Sequence, residues 1–247
     1  MNLVRELNET STWKEGPGGR GFVQSQPQRR VCGGLTKVLR QRIKAGKRKQ
    51  VRTIAVQQPG WRILASSKRR GTIVHRLLMH QLICAPMRKC YCPGKPLPCT
   101  PDRFSIACQE AAQRFVAEYK LEPVAAEMIV LHPTLPIGTR FDAMFRHKET
   151  RQLVLVSWKT GVGVTNECDW TRAQTQVAWE WMTLEKWATP GDERISTAFI
   201  VYVGAATIVR TGQSIGFYAA NRIDRKHASK LAASLDAKLE RRSSRSG

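Results

Sequence analysis

The order of helix and strand patterns after residue 100 restricts the fold more than any other feature of this sequence. TPDRFSIACQEAAQRFVAEYK has apolar residues at helical spacing, with Thr100 as the predicted N-cap and Pro101 at the first helical position. Three strand-like runs follow: VAAEMIVLH, GTRFDAMFR and RQLVLVSWK. CDWTRAQTQVAWEWMTLEKWA then predicts a second helix and STAFIVYVG a further strand. This order predicts an α/β domain in which helices pack on a sheet.

Further patterns flank this region. GTIVHRLLMHQLI, with Thr72 as the predicted cap, predicts a helix whose apolar face consists of Val74, Leu77, Leu78 and Leu82. ATIVRTG predicts one more strand, and NRIDRKHASKLAASLDAKLERR predicts a basic helix. We therefore expect a basic, poorly ordered arm (1–60), an α/β domain with a Cys-rich loop at 84–99 (61–221), and a basic helix and tail (222–247).

The charge distribution predicts an anionic partner. Lys and Arg number 41 against 19 Asp and Glu, which gives a net charge of +22. Residues 1–70 hold 17 basic and 3 acidic side chains, and residues 222–247 hold 8 and 3. Such basic ends favour a polyanion, either nucleic acid or an anionic membrane face.

The basic arm has three interpretations: non-specific contact with phosphates, a nuclear import signal within AGKRKQVR, or a solubilising tail. Under the first interpretation, the candidate DNA-binding residues are Lys44, Lys47, Arg48, Lys49, Arg52, Lys68, Arg69 and Arg70.

Hydropathy predicts a soluble, intracellular protein with no membrane partner. No run approaches the roughly 20 apolar residues that a membrane span needs. MNLVRELNETS lacks the apolar core of a secretory signal. Protein partners cannot be named from the sequence.

The cysteines point to reduced thiols or a metal. Seven is an odd number, and four cysteines crowd one stretch: Cys84, Cys90, Cys92 and Cys99. With His80 nearby, they are suited to Zn²⁺ or an iron–sulfur cluster, although the spacing is not the paired CxxC pattern. Free thiols in a Pro-rich loop are the alternative.

The third strand-like run ends at a charged side chain. If residues 140–146 and 152–158 form a hairpin, Asp142 faces Leu155. Side chains alternate along a strand, so Asp142, Ser157 and Lys159 share one face. A simple ion pair at the sheet rim, worth about 0–1 kcal/mol, is the alternative to a functional site.

In order and approximate spacing, GTIVH, Glu127, GTRFD, SWKTG and QTQVAWEW resemble the motifs of the RecB-like and lambda-exonuclease-like branch of the PD-(D/E)XK nucleases. The resemblance spans about residues 71 to 203. It implies a restriction-endonuclease-like core of helix, three-strand sheet, helix and strand. It also implies a Mg²⁺- or Mn²⁺-dependent DNA exonuclease that acts on ends or single strands in DNA processing, recombination or repair.

The resemblance implies a role for each matching residue. Asp142 corresponds to the metal-binding aspartate, Glu127 to the upstream acidic residue, and His75 to a histidine beside the metal. Lys159 corresponds to the lysine that helps to activate water and stabilise charge. Phosphodiester hydrolysis needs a hydroxide nucleophile and neutralisation of developing charge, and hard oxygen ligands holding Mg²⁺ or Mn²⁺ provide for both.

The sequence departs from the family at Ser157, where an acidic residue is usual. Three outcomes are open: a protein that binds DNA without cleaving it, a site that uses Glu127, Asp142 and the backbone carbonyl of Trp158, or a carboxylate supplied from elsewhere.

The helix predicted at 169–188 offers that carboxylate. At 100° per residue, Gln174 lies on one edge of its apolar face, and Gln176 and Glu180 lie together on the other. Either glutamine corresponds to the family's supporting glutamine, and Glu180 is the candidate replacement ligand. The alternative is that Glu180 is a solvated helix residue.

Trp179, off the predicted buried face, is a candidate for stacking on an unpaired base. The predicted core face comprises Trp170, Ala173, Val177, Trp181, Leu184 and Ala188.

Three functions therefore remain. The leading hypothesis is a metal-dependent DNA nuclease. The second is a catalytically impaired nucleic-acid-binding protein that retains the nuclease fold. The third is a cationic packaging protein that depends on its charged ends alone.

Overall fold

The computed structural model describes residues 13–15, 21–24, 31–34, 61–63, 68–87, 101–135, 137–161, 167–188 and 193–243. The strands are β1 (Trp13–Glu15), β2 (Gly21–Gln24), β3 (Val31–Gly34), β4 (Trp61–Ile63), β5 (Leu121–Ala126), β6 (Ile129–Leu131), β7 (Ile137–Arg140), β8 (Ala143–His147), β9 (Leu153–Thr160), β10 (Ile195–Ile208) and β11 (Ser214–Ile223). The helices are α1 (Lys68–Leu78), α2 (Arg103–Glu118), α3 (Glu167–Trp187) and α4 (Arg225–Ser243). A π-helical stretch, Met79–Cys84, and a turn, Ala85–Met87, extend α1.

The described residues form a mixed α/β fold around a mostly antiparallel central sheet. Its strand order is β11-β10-β9-β8-β5, and β4 also pairs with β10. Strands β9 and β10 are parallel, and α3 connects them, as a parallel pair requires. The sequence-based expectation of an α/β domain is confirmed at this level.

Helices cover both faces of this sheet. Along β9, Val154, Val156 and Trp158 pack in a cluster that includes buried residues of α1 and α2. Leu153 and Leu155 belong to a second cluster with buried residues of α3 and α4. Burial on both faces explains why β9 is a continuous apolar run rather than an alternating one.

A long hairpin bends where two predicted strands each break. VAAEMIVLH divides into β5 and β6, and GTRFDAMFR divides into β7 and β8. At the bend, Glu127 has a left-handed φ of 52°, and its N–H donates to the Asp142 carbonyl at 3.2 Å. Beyond the bend, β6 and β7 join β1, β2 and β3 in a second sheet. The prediction of uninterrupted strands was wrong because this turn of the backbone redirects both arms.

The register of β8 and β9 differs from the expected one by two residues. Ala143 lies opposite Val156, which places Asp142 opposite Ser157 rather than Leu155. A shift of two residues leaves every side chain on the same face, so Asp142, Ser157 and Lys159 still share one.

Two predicted helix starts were wrong. Asp102, not Thr100, caps α2: its carboxylate accepts the N–H of Ser105 at 2.9 Å. Helix α1 begins at Lys68, so Thr72 lies inside it. The four apolar residues predicted for the buried face of α1 and its extension are confirmed as buried.

The chain after residue 195 also differs from the expectation. STAFIVYVG and the first three residues of ATIVRTG belong to one strand, β10, which ends at Ile208, and the sequence analysis missed β11. Gly216 lets β11 approach α2 closely, since a Cβ there would stand 1.7 Å from the Ala107 carbonyl oxygen. Because β11 extends to Ile223, α4 begins only at Arg225, and Asp224 accepts the N–H of His227 at 2.8 Å.

The described parts of the predicted N-terminal arm are β1, β2 and β3, of which β3 pairs with β7. The rest of residues 1–60 lies outside the described residues. Among the described helices, none has the length and apolar character to span a bilayer.

Candidate metal centre

Three side chains converge at the bend of the hairpin. His75 comes from α1, Glu127 from the break between β5 and β6, and Asp142 from the break between β7 and β8. One ligand atom from each can be chosen so that all three lie within 4.8 Å of one another. The structure thus brings together three residues that are separated by up to 67 positions in the sequence.

Asp142 is held by donors on several sides. Its Oδ2 accepts the Ser157 hydroxyl at 2.9 Å and the Trp158 N–H at 2.8 Å. Its Oδ1 lies 3.5 Å from His75 Nδ1. Burial alone would raise the pKa of this carboxyl, but His75, Lys159 and the Ser157 hydrogen bond together hold it well below its usual range. Asp142 is therefore ionised and oriented.

Lys159 reaches the same carboxylate through Ser157. Its Nζ donates to the Ser157 hydroxyl at 2.8 Å, and that hydroxyl donates to Asp142. Ser157 is 1% exposed, and its neutral side chain lies between the lysine and the aspartate. The charged end of β9 is thus part of a hydrogen-bonded chain rather than a solvated terminus.

Glu180 is buried beside the hydrogen-bonded side chains of Lys159, Ser157 and Asp142. It is 1% exposed, so the alternative of a solvated helix residue is wrong. Its Oε1 accepts Thr139 Oγ1 and Gln176 Nε2, each at 2.9 Å. Burial, reinforced by the charge of Asp142, raises its pKa to about 7, although Gln176, Lys159 and Thr139 oppose the rise. Glu180 is not part of the group of three candidate ligands.

Glu127 has a cationic neighbour. Arg140 Nε lies 2.7 Å from Glu127 Oε2 across the bend. The Glu127 side chain is 17% exposed, which leaves it accessible from solvent.

The other proposed site residues occupy different positions. Gln176 contacts Glu180, whereas Gln174, 200° away around α3, is half-buried on the opposite edge. The N–H of Trp158 points at Asp142. Since the N–H and C=O of a strand residue point to the same side, its carbonyl faces that side too.

The assignment of Trp179 to base stacking was wrong. Trp179 is fully buried, and its Nε1 donates to Asp236 of α4 at 2.9 Å. A helical wheel of α3 identifies the face toward the sheet but not the face that α4 covers. Ala173, Val177, Trp181 and Leu184 are buried as expected, and Trp170 and Ala188 are half-buried.

The predicted DNA-binding residues are described only in part. Arg69 is exposed, and Arg70 pairs with Asp102 at 3.1 Å above the Phe104 ring. Lys44, Lys47, Arg48, Lys49, Arg52 and the side chain of Lys68 lie outside the described residues.

The cysteine metal site stays a prediction. Cys84 is 7% exposed and packs in the core beside α1 and α2. Cys90, Cys92 and Cys99 lie outside the described residues.

Thr139 and Arg140 are site residues that sequence reasoning missed. Arg140 precedes Asp142 by two positions within GTRFD, so strand alternation could have placed both on one face. Thr139 donates a hydrogen bond to Glu180, a contact between distant segments that no sequence pattern indicated.

The donor set fits a divalent metal ion. Two of the three donors are carboxylates, which suit hard cations such as Mg²⁺ and Mn²⁺, and imidazole is a common ligand of transition metals. Asp142 is ionised, as a ligand must be. Three protein ligands also leave coordination positions for water and substrate.

No protein-family model and no curated protein sequence matches this chain. Among solved structures, the chain is similar to an alkaline exonuclease (LHK-Exo) from Laribacter hongkongensis, with 14% sequence identity and a TM-score of 0.24 over 74% of this chain and 88% of that one. The complex of LHK-Exo with dAMP gives 16% identity and a TM-score of 0.23 over 72% and 92% of the two chains. TM-scores of this size do not establish a shared fold.

Proposed function

We propose that the protein is a metal-dependent DNA nuclease with a restriction-endonuclease-like core of the RecB-like and lambda-exonuclease-like type. The observation that carries the proposal is the meeting of His75, Glu127 and Asp142 within 4.8 Å, with Lys159 one hydroxyl away from Asp142. All four matched the family motifs in sequence order. A simple ion pair between Asp142 and Lys159 at the sheet rim would not require His75 and Glu127 to lie beside it.

His75, Glu127 and Asp142 would hold Mg²⁺ or Mn²⁺, with the Trp158 carbonyl as a further oxygen donor. When bound, such an ion lowers the pKa of a water molecule and offsets charge on the phosphate. The protein's own groups do the rest. Ser157 and the Trp158 N–H fix Asp142, so that its carboxylate keeps one orientation.

Lys159 would act on the substrate. The residue is half-buried, and its ammonium donates to Ser157 on the Asp142 face of the sheet. There it stabilises the negative charge that develops on the phosphate oxygens during hydrolysis. Gln176 and Thr139 are neutral, and both donate hydrogen bonds to Glu180, which lies beside Lys159.

The nuclease proposal is tested by incubating the protein with end-labelled linear and circular DNA, with Mg²⁺, Mn²⁺ or EDTA. We expect the linear substrate to be shortened from its ends when either metal is present and to remain intact with EDTA. Cleavage of the circle would show endonuclease action instead. If neither substrate is cleaved at any metal concentration, the proposal that the protein is a nuclease is refuted.

Ser157→Asp is expected to raise activity at low Mg²⁺. The substitution restores a charged oxygen ligand beside Asp142, and ligand charge is a main determinant of affinity for such ions. The Mg²⁺ concentration for half-maximal cleavage should fall roughly tenfold. Ser157→Asn, of similar size but neutral, is the matched control and should give no gain.

Glu180→Gln, titrated with Mg²⁺ alongside these variants, distinguishes a deficient site from a migrated ligand. Two hydrogen bonds hold Glu180 on Thr139 and Gln176, so we expect its loss to leave the Mg²⁺ dependence largely unchanged. If Glu180→Gln abolished cleavage and Ser157→Asp gave no gain, Glu180 would be the replacement ligand.

A second candidate is a nucleic-acid-binding protein that has lost the chemistry. The observation that favours it is the neutral Ser157 between Lys159 and Asp142. This candidate predicts DNA binding without cleavage and little response to Ser157→Asp.

The basic arm and α4 would hold DNA by contacts with phosphates, which do not depend on sequence. Action on DNA ends or single strands, a part in recombination or repair, and a nuclear location belong to the same proposal.

A further inference from the structure

Arg140 forms an ion pair with a candidate metal ligand, and the proposed function gives it no role. Its Nε lies 2.7 Å from Glu127 Oε2, and the arginine side chain is 36% exposed. The pair spans the bend: Arg140 ends β7, and Glu127 lies between β5 and β6. A guanidinium stays charged at any physiological pH, so this cation is always present beside the site.

Two cations lie close to the two carboxylates of the candidate ligand group. Glu127 and Asp142 are the two carboxylates of the candidate ligand group, and Arg140 and Lys159 are cations close to them. A divalent ion bound between the carboxylates would add two positive charges. It would then compete directly with Arg140 for Glu127.

A guanidinium released from Glu127 has a natural partner in the substrate. Its planar donors match the oxygens of a phosphate group, and such pairs are strong, charge-assisted hydrogen bonds. The Arg140 side chain is 36% exposed, so a DNA phosphate that binds at this surface would be accessible to it.

We propose that Arg140 exchanges partners: it is the counter-ion of Glu127 in the metal-free protein and a ligand of a DNA phosphate once the metal ion is bound. The inference rests on the proposed function. Its consequence is positive coupling, in which DNA raises the affinity for the metal ion and the metal ion raises the affinity for DNA by the same factor.

The test is a titration of the full-length protein with Mn²⁺, followed by the electron paramagnetic resonance signal of the free ion. It is performed with and without a short DNA duplex that carries nuclease-resistant phosphorothioate linkages. In the wild type, DNA should tighten Mn²⁺ binding. Arg140→Gln removes the competing cation, so its Mn²⁺ affinity without DNA should rise about fivefold, the upper range for partly exposed ion pairs. The increase in Mn²⁺ affinity that DNA causes should be smaller in Arg140→Gln than in the wild type.

Two other variants control the result. Arg151→Gln breaks the Arg–Glu pair between the β8–β9 turn and Glu122 of β5, away from the bend, and should behave as wild type. Arg140→Lys keeps the charge but loses the planar fork. Its Mn²⁺ affinity without DNA should stay near wild type, whereas the gain caused by DNA should shrink.

The outcomes separate this inference from the nuclease proposal. If wild type binds Mn²⁺ and Arg140→Gln binds it equally or more weakly without DNA, Arg140 merely orients Glu127 and the exchange is refuted. The exchange is also refuted if DNA raises the Mn²⁺ affinity equally in wild type and Arg140→Gln. If wild type binds no Mn²⁺ at all, the metal centre and this inference both fail.

Discussion

Asp142→Asn is expected to lower DNA cleavage by about a thousandfold or more, because several kcal/mol of charge stabilisation depend on a correctly held metal ion. Asparagine has the shape of aspartate, and its amide oxygen can still accept the Ser157 hydroxyl and the Trp158 N–H. The fold should therefore persist, and the loss would reflect the missing charge. Cleavage of end-labelled DNA in Mg²⁺ measures the effect.

Binding of the same DNA at low salt should be nearly unchanged, since phosphate contacts by basic segments supply most non-specific affinity. Asp224→Asn is a matched control: Asp224 caps α4, and asparagine caps helices equally well. Lys159→Ala should reproduce the loss of cleavage. If Asp142→Asn and Lys159→Ala both cut at the wild-type rate, the site lies elsewhere.

Glu180→Gln is expected to change how the stability of the metal-free protein depends on pH. The folded pKa of Glu180 is raised from 4.5 to about 7, chiefly by burial. The folded state therefore binds a proton more tightly than the unfolded state, and the free energy of unfolding falls as the pH rises from about 4.5 to 7. The fall amounts to about 3 kcal/mol at 1.36 kcal/mol per pKa unit. Glutamine is neutral at every pH, so Glu180→Gln should remove this fall in the free energy of unfolding.

Urea unfolding at pH 5 and pH 8, with EDTA present, measures this difference. Relative to wild type, Glu180→Gln should be more stable at pH 8 than at pH 5 by about 3 kcal/mol. Glu110→Gln changes an exposed helix glutamate of α2 and should keep the wild-type pH dependence. An identical pH dependence in wild type and Glu180→Gln would show that the buried carboxyl is ionised without cost.

The sequence was most informative where a pattern repeats along one element. Apolar spacing identified the buried face of α1, and strand alternation placed Asp142 and Lys159 on one face although the assumed register was two residues off. An even register error is harmless because side chains alternate with period two. This part of the site depends on local geometry, which short sequence patterns encode.

The missed features depend on contacts between distant segments. Trp179 is buried where α4 packs on α3, and the buried Glu180 contacts Thr139 of β7, which is distant in sequence. The bend at Glu127 has no local signal, since glutamate rarely adopts a positive φ. Such features arise only when the chain is assembled.

The bend also separates two strand ladders whose registers are set independently of each other. The ladder between β5 and β8 stops at Ala126 and Ala143, and the ladder between β6 and β7 starts again at Ile129 and Arg140. Insertions or deletions beyond the bend, in the β6–β7 arm, leave the pairing of β8 with β9 untouched. A single inserted residue in β8 or β9 would instead turn Asp142 away from Lys159. Related sequences should therefore keep a constant length within β8 and within β9.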